Sequence, residues 1–69
     1  MEFVFKGTID AVDGVRSYII ISPDRGEVLR FLQKYDHEGS TLIVDVYDAN
    51  KKCVGTYNDE AAYQFLVSV

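Results

Sequence analysis

The dipeptide Asp13-Gly14 constrains the fold of this chain more than any other short feature. It stands between two segments whose composition is typical of β-strands. A two-residue hairpin turn needs a positive φ at both central residues, which Asp tolerates and Gly adopts freely. We therefore predict an antiparallel hairpin over residues 3–21. Its register would pair Val12 with Val15, Ile9 with Tyr18, and Gly7 with Ile20.

The two strands of this hairpin differ in pattern. The first alternates apolar and polar side chains, which is typical of a strand buried on one face. Gly7 interrupts the apolar face of that strand and predicts a bulge or a close approach by another element. The second strand contains the run Tyr18 to Ile21 without a polar break, so we expect a central strand that is covered on both faces.

The segment Ser22-Pro23-Asp24 predicts the start of a helix. Either Ser22 caps the helix and Pro23 takes its first position, or Asp24 caps it with Glu27 three residues later. Apolar residues then recur at helical spacing, and Gly39 predicts the stop just beyond the last turn. The inward positions are Val28, Leu29, Phe31, Leu32 and Tyr35, and the outward ones Arg25, Arg30, Gln33 and Lys34.

The second half of the chain reads mostly as strands. A third strand runs through 42–47 and a short fourth strand through 53–57, joined by a turn in which Asn50 takes a left-handed conformation. At the C-terminal end, residues 58–62 predict a loop or a single helical turn. A fifth strand follows on the alternation of Tyr63, Phe65, Val67 and Val69. The alternative is a short C-terminal helix.

These elements predict one small α+β domain over residues 1–69, in the order ββαβββ or, alternatively, ββαββα. Short loops favour antiparallel neighbours, so we expect an antiparallel sheet with one helix packed on one face. A chain of 69 residues buries only roughly 60% of its unfolded surface. A single Cys excludes an intramolecular disulfide, and good packing or self-association, such as a homodimer, is expected to compensate.

The charge of the chain limits the choice of partners. A net charge of −4 with seven scattered basic residues disfavours direct nucleic-acid binding, which needs clustered cations. It fits a basic protein partner, or competition with nucleic acid for a basic groove. The first residues do not resemble a signal peptide and no apolar run could span a bilayer, so we expect a cytoplasmic protein without membrane contact.

Reactive side chains are few. His37 is the only histidine and Cys53 the only thiol; we interpret them as a solvated helix end and a buried structural residue. Asp45 interrupts a strand and is expected to face solvent. No phosphate loop or EF-hand spacing is present, and we predict no catalytic residue, cofactor or metal site. The acids considered for calcium were Asp10, Asp13, Asp45 and Asp48.

Tyrosines are the remaining feature with functional weight, because tyrosine side chains contribute strongly to protein interfaces. Four of the five lie in predicted strands, where they could equally be core residues whose hydroxyls reach the surface. Together with two neighbouring acids they predict an interaction surface. The predicted partner-binding residues are Tyr18, Asp45, Tyr47, Asp48 and Tyr57.

The sequence thus leads to three hypotheses. The first is a small acidic, non-enzymatic binding or regulatory protein that acts through its surface on a partner protein, as inhibitors and nucleic-acid mimics of phages and mobile elements do. The second is a structural or assembly subunit that forms a homodimer through strand edges or the open sheet face. The third, an enzyme or small-ligand binder that gathers Asp45, His37 and Cys53, is disfavoured because the chain has little room for a pocket.

Overall fold

The structure is a computed structural model that describes residues 3–12 and 14–68. It contains a four-stranded antiparallel sheet and two helices. In chain order the elements are β1 (Val4–Asp10), β2 (Ser17–Ser22), α1 (Arg25–Tyr35), β3 (Thr41–Tyr47), β4 (Cys53–Asn58) and α2 (Asp59–Val67). The predicted α+β class is confirmed, with the alternative order ββαββα. The order ββαβββ is wrong because the last element is a helix.

The sheet has the strand order β2-β1-β3-β4. α1 packs on β1 and β2, and α2 packs on β3 and β4. Both helices therefore cover the same face, and the chain consists of two successive ββα units arranged about an approximate two-fold axis between β1 and β3. The sequence shows no matching repeat.

Within the described residues, neither helix has the length and apolar content needed to cross a membrane.

The core lies between the sheet and the two helices. The two central strands, β1 and β3, and both helices contribute its buried apolar side chains. The buried apolar residues are Phe5, Ile9, Val28, Leu32, Leu42, Val44, Val46, Ala62 and Leu66.

The predicted hairpin register is confirmed along the two strands, whereas the predicted pair of Val12 with Val15 lies beyond the last observed pair, Asp10 with Ser17. Ile9 pairs with Tyr18 and Gly7 with Ile20. The N–H of Gly14 donates to the carbonyl of Ala11 at 2.9 Å, so this bond closes a turn over Ala11 to Gly14. Gly14 has the expected positive φ of 71°. The other predicted turn residue, Asp13, lies outside the described residues.

Gly7 marks a close approach, as predicted, and the strand pairing through it is regular. A methyl group in its place would lie 3.1 Å from Cγ1 of Val28 and 3.2 Å from Cγ2 of Ile20. The absence of a side chain at this position therefore lets α1 settle directly on β1.

β2 is an edge strand, so the prediction of a central strand covered on both faces is wrong. Ile19 is 55% and Ile21 66% exposed, while Tyr18 and Ile20 point to the helices. An unbroken apolar run predicts burial on two sides, but both helices lie on one side of this sheet. The isoleucines of the other side stay uncovered.

The start of α1 follows the second of the two predicted frames. Asp24 is the N-cap, and its Oδ1 accepts the N–H of Gly26 at 2.9 Å. The buried hydroxyl of Ser22 supports this cap, because it accepts the N–H of Asp24 at 3.1 Å. The helix ends at Tyr35, and Gly39, with a φ of 86°, lies in the turn that follows.

Arg25 does not face away from the core, which corrects the prediction for that residue. Its guanidinium lies 4.3 Å from the centroid of the Phe65 ring. It also donates to the carbonyls of Phe65, at 3.3 Å, and of Ser68. Arg25 at the start of α1 therefore holds the C-terminal end of α2. The other predicted outward residues, Arg30, Gln33 and Lys34, are exposed.

The C-terminal segment is α2 rather than a fifth strand. Ala62 and Leu66 lie four residues apart and are both buried, which is the spacing of one helix face. The alternation that predicted a strand is misleading, because Val67 is 59% exposed. Val69 lies outside the described residues. Asp59 fixes the start of α2 to the sheet, since its Oδ1 accepts the N–H of Leu42 at 3.1 Å.

Candidate interaction surface

The sheet face opposite the helices is uncovered, and we call it the open face. Because side chains alternate along a strand, its members follow from the observed pairing, and none of them is buried. They are Val4, Lys6, Thr8, Asp10, Ser17, Ile19, Ile21, Thr41, Ile43, Asp45, Tyr47, Cys53, Thr56 and Asn58.

The five predicted partner-binding residues divide between the two faces. Tyr18 and Tyr57 lie on the helix-covered face, where Tyr18 stacks on Tyr35 with centroids 4.7 Å apart. Tyr57 stacks on Phe65 at 4.2 Å. Asp45 and Tyr47 are on the open face, with Asp48 immediately after them. The structure therefore brings together three of the five.

Asp45 lies on the solvent side of the sheet, as expected. Its Oδ1 accepts the hydroxyl of Thr56 on the neighbouring strand at 2.9 Å. Lys6 faces it directly on β1, so opposite charges are neighbours across the strands, an arrangement that stabilises a sheet modestly. Asp45 is half-buried between these neighbours.

Asp48 shapes the turn between β3 and β4. Its Oδ1 accepts the N–H groups of Asn50, at 2.8 Å, and of Lys52, at 3.0 Å. The left-handed residue of this turn is Lys51, with a φ of 66°, rather than Asn50 as predicted. The Asp48 carboxylate therefore holds the backbone that carries Lys51.

A depression of about 470 Å³ lies at the end of the open face next to this turn. The side chains of Val4, Ile21 and Tyr47 give it an apolar lining, and Lys6, Asp48 and Lys51 complete its wall. Sequence reasoning identified only Tyr47 and Asp48. Lys51 lies in the same turn as Asp48, whereas Val4, Lys6 and Ile21 come from strands that are distant in sequence and become neighbours only through the β2-β1-β3 order.

A smaller depression of about 210 Å³ lies on the helix-covered side, between β4 and α2. Phe5, Val54, Tyr57 and Phe65 form much of its wall. Its cationic group is Arg25, which already bonds to the carbonyls at the end of α2. We therefore interpret this depression as the edge of the core.

The reactive side chains are spread over the molecule. His37 is exposed in the connection that leads into the start of β3, whereas Cys53 pairs with Tyr47 at the opposite end of β3. Cys53 is exposed, so the expectation of a buried thiol is wrong; it faces Tyr47 from the edge strand β4, on the open face of the sheet. In the part of the chain that the structure describes, no three His, Cys, Asp or Glu residues are grouped to hold a metal ion.

Tyr63 joins the ends of the two helices. Its hydroxyl donates to Oδ2 of Asp36, the C-cap of α1, at 2.9 Å. Burial, together with this hydrogen bond and the nearby carboxylate charge, raises the pKa of Tyr63 to about 12. The hydroxyl is therefore held in its neutral, donating form.

This raised pKa predicts a loss of stability in alkali. An unfolded tyrosine ionises near pH 10, so the contribution of Tyr63 is complete below about pH 10 and is lost as the pH rises through its folded pKa of about 12. We expect Tyr63→Phe to be less stable than the wild type below pH 10, with a difference that narrows towards pH 12. Chemical denaturation across this range, with phenolate absorbance recorded in parallel, measures it. Tyr47→Phe is the control, because Tyr47 lies on the open face and takes no part in the bond to Asp36; an equal narrowing in that variant would contradict the assignment.

Comparison with protein-family models, with curated proteins and with solved structures finds no match to this chain. The features that bear on its function are the open face, the depression beside Tyr47 and the distribution of charge.

Proposed function

We propose that the protein is a small, non-enzymatic binding domain that acts on a partner protein through the open face of its sheet. The observation that carries the proposal is the depression of about 470 Å³ on that face, with Val4, Ile21 and Tyr47 in its lining. A half-buried tyrosine beside aliphatic side chains is the typical anchor of a protein interface. The separation of His37 from Cys53 supports binding rather than catalysis.

Charge supports a partner with a basic surface. Carboxylates gather at the end of the sheet where β3 and α2 begin, opposite the depression. A protein that covers the open face and reaches around this end of the sheet would meet the apolar depression, Asp10 on the open face and the acids at the helix ends. Such contacts suit an inhibitor or a nucleic-acid mimic that occupies a basic groove, and the expected cytoplasmic location remains a prediction. The acids at this end are Asp10, Asp36, Glu38, Asp59 and Glu60.

The test is capture of the partner by immobilised protein from an extract of the cells that encode it. We expect Tyr47→Thr to weaken capture by about thirtyfold, the effect of losing a strong interface residue. Val54→Thr is the matched control, because Val54 is an exposed strand residue outside the depression. Thermal unfolding verifies that both variants fold. If both variants capture the partner as the wild type does, the open face is not the contact surface.

The salt dependence of capture separates the contribution of the acidic end from that of the apolar depression. A contact through the acidic end weakens as ionic strength rises, whereas an apolar contact changes little. We expect Glu38→Gln combined with Glu60→Gln to reduce capture at low salt only. Should this pair abolish capture while Tyr47→Thr leaves it intact, the protein acts by charge alone and the proposal for the open face fails.

A further inference from the structure

The free edge of β2 presents a row of backbone hydrogen-bonding groups. The N–H of Ala11 donates to the carbonyl of Arg16, and the pairing continues in register along β1 and β2. Because bonded and non-bonded pairs alternate in an antiparallel ladder, every second residue of β2 bonds to β1. The others direct their N–H and C=O groups outward, and these are Ser17, Ile19 and Ile21.

This edge lacks the features with which proteins protect edge strands. Charged side chains, prolines and bulges prevent an edge from pairing with another chain, and residues Ser17–Ser22 contain none of them. The other edge strand, β4, is interrupted at Val54, where the pairing shifts between Val46 and Tyr47. Two exposed isoleucines also line the β2 edge. β2 is therefore the edge suited to accept a further strand.

We propose that the strand it accepts is β2 of a second copy, in an antiparallel pair whose two-fold axis lies midway between the two Ile19 residues. In this register Ile19 faces Ile19 of the second copy, and Ser17 faces Ile21. Every outward N–H and C=O group of the strand then has a partner. A register shifted to centre on Ile20 would place Ser17 against Pro23, which has no N–H to donate.

A second copy fits because the pairing also brings the helices to packing distance. α1 packs on both β1 and β2, so it lies about half a strand spacing inward from β2. With strands about 4.8 Å apart, the two α1 helices would come about 10 Å apart across the axis, close to the 8–10 Å of packed helices. The same arrangement of two helices above two neighbouring strands already occurs within the chain, where α1 and α2 pack together above β1 and β3.

The side chains of α1 that lie towards the free edge of β2 complement those of a second copy. Val28 and Leu32 face the sheet, and successive residues turn by about 100°, which directs Glu27, Phe31 and Lys34 towards the free edge of β2. Val28 and Leu32 bracket Gly7 at the level of Ile20, so Phe31 lies near the level of the axis at Ile19. The two helices run antiparallel about that axis, and Glu27 of one copy therefore meets Lys34 of the other.

The strand itself is neutral, which matters for a chain of net charge −4. No like charges face each other along β2 in this register, and the nearest charged pair across the helices is an attractive one. A foreign strand would need to match the same neutral, isoleucine-bearing edge. A second copy of this chain matches it by symmetry.

The register is tested by cysteine cross-linking in a Cys53→Ser background. With oxidised glutathione as the oxidant, two thiols lose two protons and two electrons to form a disulfide, while the glutathione is reduced. We expect Ile19→Cys to form covalent dimers, because opposed residues of an antiparallel pair lie within disulfide reach. Ile21→Cys, the matched control, should not, because its thiols would lie four residues apart along the pair. Equal cross-linking of the two variants would overturn the register.

The interface is tested by measuring the mass of the protein in solution and by exchanging the charges of Glu27 and Lys34. Sedimentation across a concentration series, with reductant present, should show the wild type passing from monomer to dimer. Glu27→Lys and Lys34→Glu should each weaken the dimer by about tenfold, and their combination should restore it. A monomeric mass at every concentration, or a dimer that neither single charge variant affects, overturns the proposal.

The dimer contact runs along the backbone edge of β2, whereas the partner contact lies in the depression on the open face. The dimer joins the open faces of two copies side by side and leaves the depression beside Tyr47 accessible. Failure of the partner capture by Tyr47→Thr therefore says nothing about the dimer, and a monomeric mass says nothing about the partner.

Discussion

Replacing Gly7 by alanine is expected to lower the free energy of unfolding by about 1–3 kcal/mol, the range for overpacking a core. The added methyl group would lie 3.1 Å from Cγ1 of Val28 and 3.4 Å from Cδ2 of Leu32. Both residues are fully buried, and Val28 is β-branched and therefore stiff. α1 has to move outward, which loosens its packing on β1 and on β2. Urea denaturation measures the change.

Gly26→Ala is the matched control for this variant. Gly26 lies in the first turn of α1, where an added methyl group would meet the exposed Arg30 side chain and the Asp24 carboxylate at 3.3 Å. Alanine favours a helix over glycine by up to about 1 kcal/mol, so the stability of this variant should be unchanged or raised. A similar loss in both variants would show that the close approach at Gly7 has no special effect.

Arg25→Met is expected to cost about 2 kcal/mol, because it removes charged hydrogen bonds and a cation–π contact while keeping the apolar stem. The last turn of α2 contains no basic residue of its own. Arg25 supplies the missing cation by donating to the carbonyls of Phe65 and Ser68. Opposite charge at that end of a helix stabilises it. α2 should therefore fray first in the variant, and hydrogen exchange of its amides should show this directly.

Arg30→Met provides the control, since Arg30 is exposed on the outer side of the same helix. Its replacement should change the free energy of unfolding by less than about 0.5 kcal/mol. If the amides of α2 exchange equally in the two variants, Arg25 is not what holds the end of that helix.

Local pattern was sufficient for the elements whose partners lie nearby in sequence. The register of β1 and β2 and the inward face of α1 follow from spacing, whereas capping chemistry left Ser22 and Asp24 as alternatives for the helix cap. Burial that depends on distant elements could not be predicted in this way. The run Tyr18 to Ile21 is apolar throughout, but only the positions of both helices decide that Ile19 and Ile21 stay exposed.

The segment that forms α2 also shows that local sequence pattern alone was insufficient. The alternation of Tyr63, Phe65 and Val67 and the four-residue spacing of Ala62 and Leu66 are both present in one short segment. The space beside β3 and β4 selects the helix, and Asp59 ties its start to Leu42. Because α2 was not the first prediction, the inward position of Arg25 could not be anticipated.

The candidate site was predictable only in part. Asp45, Tyr47 and Asp48 come together because they are neighbours in sequence at the end of β3. Tyr18 and Tyr57 pair with other rings on the helix side, and their strand parity alone could not reveal which side the helices occupy. The members of the depression from β1 and β2, which are Val4, Lys6 and Ile21, required the strand order.

The exposed thiol at the start of β4 has a practical consequence for any preparation of this protein. Cys53 is free and accessible, so oxidation in air can link two chains through it. Such a covalent species would imitate association while joining the edges farthest from β2. The same thiol, kept reduced and then alkylated with a fluorophore, offers one defined attachment point on the side of the sheet remote from that edge.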